Sequence, residues 1–194
     1  MSKGSITVNG NAGMHLGAYM KGGRIEVHGD SSDWVGAEMK NGFIHVHGNA
    51  GGQIGAGYRG SLAGMKNGTI IVDGSAGLEV GLRMKRGTII LGGPARDFCG
   101  LQMKGGTIVL LDGAEIRTGA WMQRGTIISM KPLKLMPTFK YSNDSNPTFM
   151  NVYAKQLKQY GIDLPFAASE GTYQHFAGDL SVPGKGEILV WQPA

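Results

Sequence analysis

The strongest constraint in this sequence is a period. Methionine recurs at Met20, Met39, Met65, Met84, Met103 and Met122, at spacings of 19, 26, 19, 19 and 19 residues, the long step being one period plus a seven-residue insertion. Glycine keeps the same beat: Gly68, Gly74, Gly81 and Gly87 are separated by six, seven and six residues, which restores 19. A unit this short cannot bury an apolar face alone, so successive units must stack. Three glycine-marked corners per unit mean three sides, with glycine where the chain turns through positive φ or passes close to the unit above. The 34 glycines among 194 residues, well above the roughly 7% of an average chain, therefore specify corners. No Gly-X-Y triplet runs through them, which excludes collagen, and a chain that is 41% apolar does not have the composition of a disordered one.

The side after the first glycine alternates and is rich in Ile, Val and Thr, the signature of a strand. Aligning the units stacks Ile6, Ile25, Ile44, Ile70, Ile89, Ile108 and Ile127 in one column and Val8, Val27, Val46, Val72, Leu91 and Leu110 in a second. Positions two apart on a strand share a face, so both columns point inward. Residues 3–130 are predicted to form an all-β, single-stranded β-helix (a β-solenoid) of 19-residue coils stacked roughly 4.8 Å apart. The general preference for right-handed crossovers makes it right-handed. The nearest rival is the left-handed hexapeptide-repeat helix of acyltransferases, whose strict sixes do not sum to 19.

The outward column on the same strand runs Thr7, Glu26, His45, Ile71, Ile90, Val109, Ile128 and changes from polar to apolar half-way. A solvent-facing strand stays polar. Ile71, Ile90, Val109 and Ile128 are therefore expected to be covered, by a partner subunit or by residues 131–194 folding back. That tail contains a predicted helix near 147–160, with Asn146 as cap, Pro147 in the first turn, Phe149, Val152, Tyr153, Leu157 and Tyr160 as its apolar residues and Gly161 as its stop. It ends in GKGEILVW, an extended segment able to add a strand or close the end of the coil.

Little in the chain points to chemistry. Asn9, His28, His47 and Asp73 share an outward column beside Glu26 and His45, which makes His28, His45 and His47 the candidate metal ligands. Stacked polar residues are what an exposed solenoid face produces in any case, and the pattern assigns no resident metal. A stand-alone metal- or ligand-binding solenoid is the alternative of a different class. The single cysteine, Cys99, falls in the inward column Leu16, Val35, Ile54, Val80 and reads as core. It excludes an intramolecular disulfide framework and any multi-cysteine zinc or iron–sulfur site. His15 and His175 stand isolated, and Tyr58 is expected to take the methionine slot of the inserted unit. The net charge of +5 is spread singly over repeat boundaries, which speaks against a dedicated nucleic-acid binder. No apolar run approaches the length of a membrane span, and the start MSKGSITVNG lacks an apolar signal core. A cytoplasmic location is expected.

Three segments carry a family resemblance: GNAGMHLGAYMKGGRIEVHG, the inserted unit GNAGGQIGAGYRGSLAGMKNGTIIVDGSAG, and the closing YQHFAGDLSVPGKGEILV. They resemble the C-type subunit of formylmethanofuran dehydrogenase, which also occurs in the related bacterial formyltransferase/hydrolase complex. More distantly the repeats are similar to the C-terminal domain of the glutamate synthase large subunit. The resemblance spans essentially the whole chain, and its most specific part is the Tyr58-Arg59-Gly60 insertion, which looks closer to the dehydrogenase. It implies a non-catalytic scaffold subunit of an oxidoreductase complex in one-carbon metabolism and methanogenesis. The tungsten or molybdenum pterin, the iron–sulfur clusters and a dinuclear metal site are then expected in other subunits, and this chain holds no cofactor. Ile71, Ile90, Val109, Ile128, Tyr58 and Arg59 become the candidate contacts to those partners. Family members usually carry further N-terminal sequence, whereas this chain begins almost directly with a repeat.

Overall fold

The computed structural model describes residues 1–165 and 167–194. Seven short strands fall one per repeat: β1 (Ser5–Val8), β2 (Arg24–Val27), β3 (Phe43–Val46), β4 (Thr69–Val72), β5 (Thr88–Leu91), β6 (Lys104–Leu110) and β7 (Arg124–Ser129). Each pairs in parallel with the next, and the register keeps the sequence columns intact: Ile25 opposite Ile44, Ile44 opposite Ile70, Ile70 opposite Ile89 and Ile89 opposite Ile108. Two further ladders run beside this one. Ala12, Ser31, Ala50, Ala76, Ala95 and Ala114 bridge in sequence on a second side. On a third, Gly36, Gly55, Gly81, Gly100 and Gly119 each donate a backbone hydrogen bond to the coil before, at 2.7 or 2.8 Å. The chain is thus a stack of three-sided turns.

The inward columns form the core. Ile44, Ile70, Ile89, Ile108 and Ile127 are fully buried, together with Val27, Val46, Val72 and Leu91. Met20, Met39, Met65, Met84, Met103 and Met122 join them, and each reaches under a glycine at a neighbouring corner. At Gly87, with φ of 96°, a Cβ would lie 2.8 Å from the Met65 Cε and 2.7 Å from the Gly68 carbonyl oxygen. Met65, and not Tyr58, fills the methionine slot of the inserted unit, because the insertion loops Tyr58 outward before the chain returns. A polar ladder stitches one corner: Asn11 Oδ1 accepts from the Asp30 amide (2.9 Å), Asp30 Oδ1 from the Asn49 amide (2.7 Å), and Asn49 Oδ1 from the Ser75 amide (2.9 Å). Each such bond satisfies a backbone donor of the next coil.

Not every corner is glycine. Two positions per turn hold other residues at positive φ: His15, Trp34, Gln53, Glu79, Phe98 and Arg117 in one column, and Tyr19, Glu38, Arg83, Gln102 and Trp121 in another. Their φ values of 51 to 68° lie in the sparsely allowed left-handed region. They stack as well, as in the hydrogen bonds from Gln53 to Glu79 (3.0 Å) and from Arg83 to Gln102 (2.7 Å).

The tail completes the molecule. Strand β8 (Lys140–Ser145), helix α1 (Met150–Lys158), β9 (Gly171–Gly178) and β10 (Lys185–Pro193) follow in order. β10 adds in parallel to β7, placing Ile188 opposite Ile127 and Leu189 opposite Ile128, and β9 and β8 then extend the same ten-stranded sheet antiparallel. GKGEILVW therefore continues the ladder. The helix begins later than the sequence suggests: Phe149 is its N-cap without a side-chain cap, while Asn146 instead donates to the Gly171 carbonyl (2.9 Å). Its buried residues are Met150, Ala154 and Leu157, whereas Val152 faces solvent.

Together α1, β9 and β10 cover the outward apolar stripe. Ile71, Ile90, Val109 and Ile128 are 2%, 0%, 0% and 0% exposed and form a second core with Met150, Leu157, Leu164, Tyr173, Leu189 and Trp191. This corrects their reading as partner contacts: the chain covers its own stripe. The Tyr153 hydroxyl anchors the helix 2.6 Å from the hydroxyl of Thr107, which is 3% exposed. Tyr153→Phe leaves that buried hydroxyl unpaired and is expected to lower stability by about 1–2 kcal/mol, read as a lower urea midpoint at unchanged slope.

Candidate functional site

Two surface regions gather side chains capable of recognition. The first is built around the insertion. Tyr58 stacks on Trp34 (ring centroids 4.8 Å) and lies 5.5 Å from Tyr19, while its hydroxyl hydrogen-bonds His15 Nδ1 at 2.9 Å. Burial, and then the neighbouring Tyr19 and Glu38, push the Tyr58 hydroxyl above its ordinary pKa. The loop is ordered by its neighbours. Arg83 Nη1 donates to the Ser61 carbonyl and Lys104 Nζ to the Leu62 carbonyl, both at 2.7 Å, and Leu62 projects at the tip, 81% exposed. Arg59 lines a groove beside it with Trp34, Gln53, Glu79 and Arg83. Of the predicted partner contacts, Tyr58 and Arg59 are thus the ones the structure leaves at the surface. Tyr19, Trp34, Leu62 and His15 were not anticipated, although the 19-residue period already stacks His15 under Trp34.

The second region lies on the outward face of coils two and three, with Asp73 following β4 on coil four, beside the part of that face that the tail covers. Glu26 and His45 are direct ladder partners on β2 and β3. His47 places Nδ1 2.9 Å from Asp73 Oδ2 and Nε2 3.1 Å from Glu26 Oε1, and His45 Nε2 lies 2.8 Å from Asp73 Oδ1. His28 stacks face to face on His47 at 5.1 Å, and Arg24 pairs with Glu26 at 3.3 Å. The predicted candidates His28, His45 and His47 are therefore brought together, with Glu26 and Asp73 completing the cluster.

These contacts move two pKa values in opposite directions. His47 is raised, first by its hydrogen bond with Glu26, which outweighs the lowering effect of burial, and then by Asp73. Glu26 is lowered, chiefly by His47 and then by Arg24. The raised histidine stabilises the fold below its unfolded pKa of roughly 6.5, and that contribution fades as pH rises through the folded value. The lowered carboxylate stabilises above roughly 4.3 and fades as pH falls through its folded value. Both contributions are present together at about pH 5–6. With a chelator present, Glu26→Gln is expected to lower Tm most in that window and least near pH 9, which a pH series of thermal melts reads directly.

Cys99 is fully buried, and burial pushes its thiol up to about 12. It is neither a nucleophile nor a cluster ligand at neutral pH. His175 sits on β9 against Ser145 (3.3 Å), far in sequence from the other histidines. Among the described residues no helix is long and apolar enough to cross a membrane.

A stack of glycine-cornered coils with ordered surface ladders defines a class of protein. The family model described as the GXGXG motif matches residues 2–141, and the chain belongs to that family. Its fold is similar to a chain in the X-ray crystal structure of the formyltransferase/hydrolase complex (FhcABCD) from Methylorubrum extorquens in complex with methylofuran. That likeness has a TM-score of 0.86 and 34% identity, and covers 98% of this chain and 70% of the other. A comparison with curated protein sequences gave no significant match.

Proposed function

We propose that this chain is the structural, C-type subunit of a formyltransferase/hydrolase-type complex acting on one-carbon units carried by a methanofuran-class cofactor. The observation that carries the reading is 34% identity over 98% of the chain to a chain of such a complex. The resemblance of Tyr58-Arg59-Gly60 to the dehydrogenase weighs less, since no comparison favours that complex. If the dehydrogenase were nevertheless the assembly, its pterin metal and iron–sulfur clusters would lie in other subunits, because the sealed Cys99 cannot ligate them.

In this reading the stack is a right-handed β-helix serving as a rigid spacer, and catalysis belongs to its partners. The insertion supplies the docking face. A projecting Leu62, the aromatic rings of Tyr19, Trp34 and Tyr58, and Arg59 are the residue types that anchor protein interfaces. Their loop is already held by Arg83 and Lys104, so little ordering cost accompanies binding. The double variant Tyr58→Ala/Arg59→Glu, tagged and isolated from the native host, is expected to retain the wild-type circular dichroism and Tm while losing at least tenfold of its copurifying subunits. Partner recovery equal to wild type would remove the insertion from the interface.

A further inference from the structure

We propose that Glu26, His45 and His47 form a binding site for a single divalent transition-metal ion of the zinc class, with Asp73 orienting the imidazoles from behind. This inference is independent of the proposed complex.

The array arises from strand geometry. Glu26 and His45 face each other across the β2–β3 ladder, and His47 lies two residues beyond His45, hence on the same outward side. One ligand atom from each of the three lies within 4.8 Å of the others, whereas ligand atoms on tetrahedral zinc are roughly 3.3 Å apart. Small side-chain rotations of half-buried groups close that gap. Imidazole nitrogen with carboxylate oxygen is a donor set that suits zinc, and also copper, nickel or iron.

The hydrogen-bond count at His47 shows that the cluster is set up for an added positive charge. Both ring nitrogens face carboxylates, Nδ1 towards Asp73 and Nε2 towards Glu26. A neutral imidazole carries only one N–H, so without an added positive charge one of the two contacts has two acceptors and no hydrogen. Either a second ring proton or a metal ion between Nε2 and Glu26 supplies that charge, and the metal leaves Nδ1–H donating to Asp73, the arrangement in which a carboxylate fixes the tautomer of a metal-bound histidine. His45 Nε2 meets the other oxygen of the same carboxylate, so Asp73 orients both rings.

The site also lies where the fold has most use for it. Coils four to seven are clamped by α1, β9 and β10, while among the described residues the tail's buried cluster does not include the outward residues Glu26 and His45 of coils two and three. The turn after α1 reaches Phe43, on which Tyr160 stacks at 5.1 Å. A metal ion joining β2 to β3 staples coils two and three together. His28, stacked on His47, and Arg24, paired with Glu26, flank the site without being needed as ligands.

The test uses the full chain freed of metal by chelation and dialysis. Zn2+ titrated calorimetrically is expected to bind at one ion per chain and to raise Tm, and Co2+ in its place is expected to give the visible absorption of a low-coordinate N/O site. His47→Gln and His45→Gln should each abolish the stoichiometric site at unchanged circular dichroism. Asp73→Asn, which alters only the orienting carboxylate, should weaken Zn2+ binding by about 10–100-fold. Absence of saturable Zn2+ binding to the folded wild type would overturn the proposal. So would binding that persists undiminished in the His45→Gln/His47→Gln double variant, which is the behaviour of a scattered adventitious ion.

Discussion

Changing Ile90 and Val109 together to aspartate is expected to abolish soluble, folded protein. Both side chains are 0% exposed, sealed between the coils and the layer formed by Met150, Leu157, Leu189 and Trp191. An unpaired carboxylate in such a layer costs several kcal/mol, and two exceed much of the roughly 5–15 kcal/mol by which a domain is stable. Either the tail detaches and exposes the whole apolar stripe, or the chain unfolds. Expression followed by size exclusion separates the outcomes: aggregate or proteolysed material is expected, while a monodisperse variant with wild-type circular dichroism would mean that the stripe is not held by the tail. Tyr58→Ala, at the surface, is the matched control and should remain folded.

The second large effect concerns a corner. Gly87 has φ of 96°, and a Cβ there would meet the Gly68 carbonyl oxygen at 2.7 Å, the Met65 Cε at 2.8 Å and the Asn67 carbonyl carbon at 3.1 Å. Gly87→Val combines a left-handed backbone, costing about 1–2 kcal/mol for an L-residue, with overpacking that costs about 1–3 kcal/mol more. Gly60, at φ of 82° but with nothing within 4 Å of its Cβ position, separates the two contributions. Gly60→Ala should show only the conformational cost of about 1–2 kcal/mol. Urea unfolding of the two variants checks the difference, and equal losses would show that stacking closeness does not set the stability of the corner.

The inward half of this molecule is legible in its sequence because it repeats under constraint. Ile44, Ile70 and Ile89 must pack on one another, so their spacing records the coil directly, and the parallel register reproduces it. The outward half is harder to read. His15, Trp34, Arg83 and Gln102 occupy left-handed corners that sequence reasoning assigns to glycine, the side chains pointing to the surface, where they stack on one another or bond to neighbouring coils. For Ile71, Ile90, Val109 and Ile128, apolar character says that a face is buried without saying whether tail or partner buries it. The helix start shifts because Asn146 bonds across to Gly171, a long-range contact that local capping rules cannot include. Counting alone places Tyr58 in the methionine slot, but the insertion lets Met65 take the core position. Of the candidate site, the 19-residue period brings the histidines onto one face, whereas the bidentate role of Asp73 across a 26-residue step appears only in three dimensions.

The proposed function rests on rigidity. Three backbone ladders and a core of stacked Ile, Val and Met leave few ways for the coils to shift relative to one another, so groups placed on the surface keep their spacing. That is a property suited to holding partners at fixed separation. The proposed scaffold role is tested most directly by native mass spectrometry of the tagged wild-type chain isolated from its own host, with the copurifying proteins identified. An assembly far above the 20.5 kDa of the single chain is expected, containing catalytic subunits for formyl transfer and hydrolysis in defined stoichiometry. A free chain of that mass with no specific partners would contradict the scaffold role.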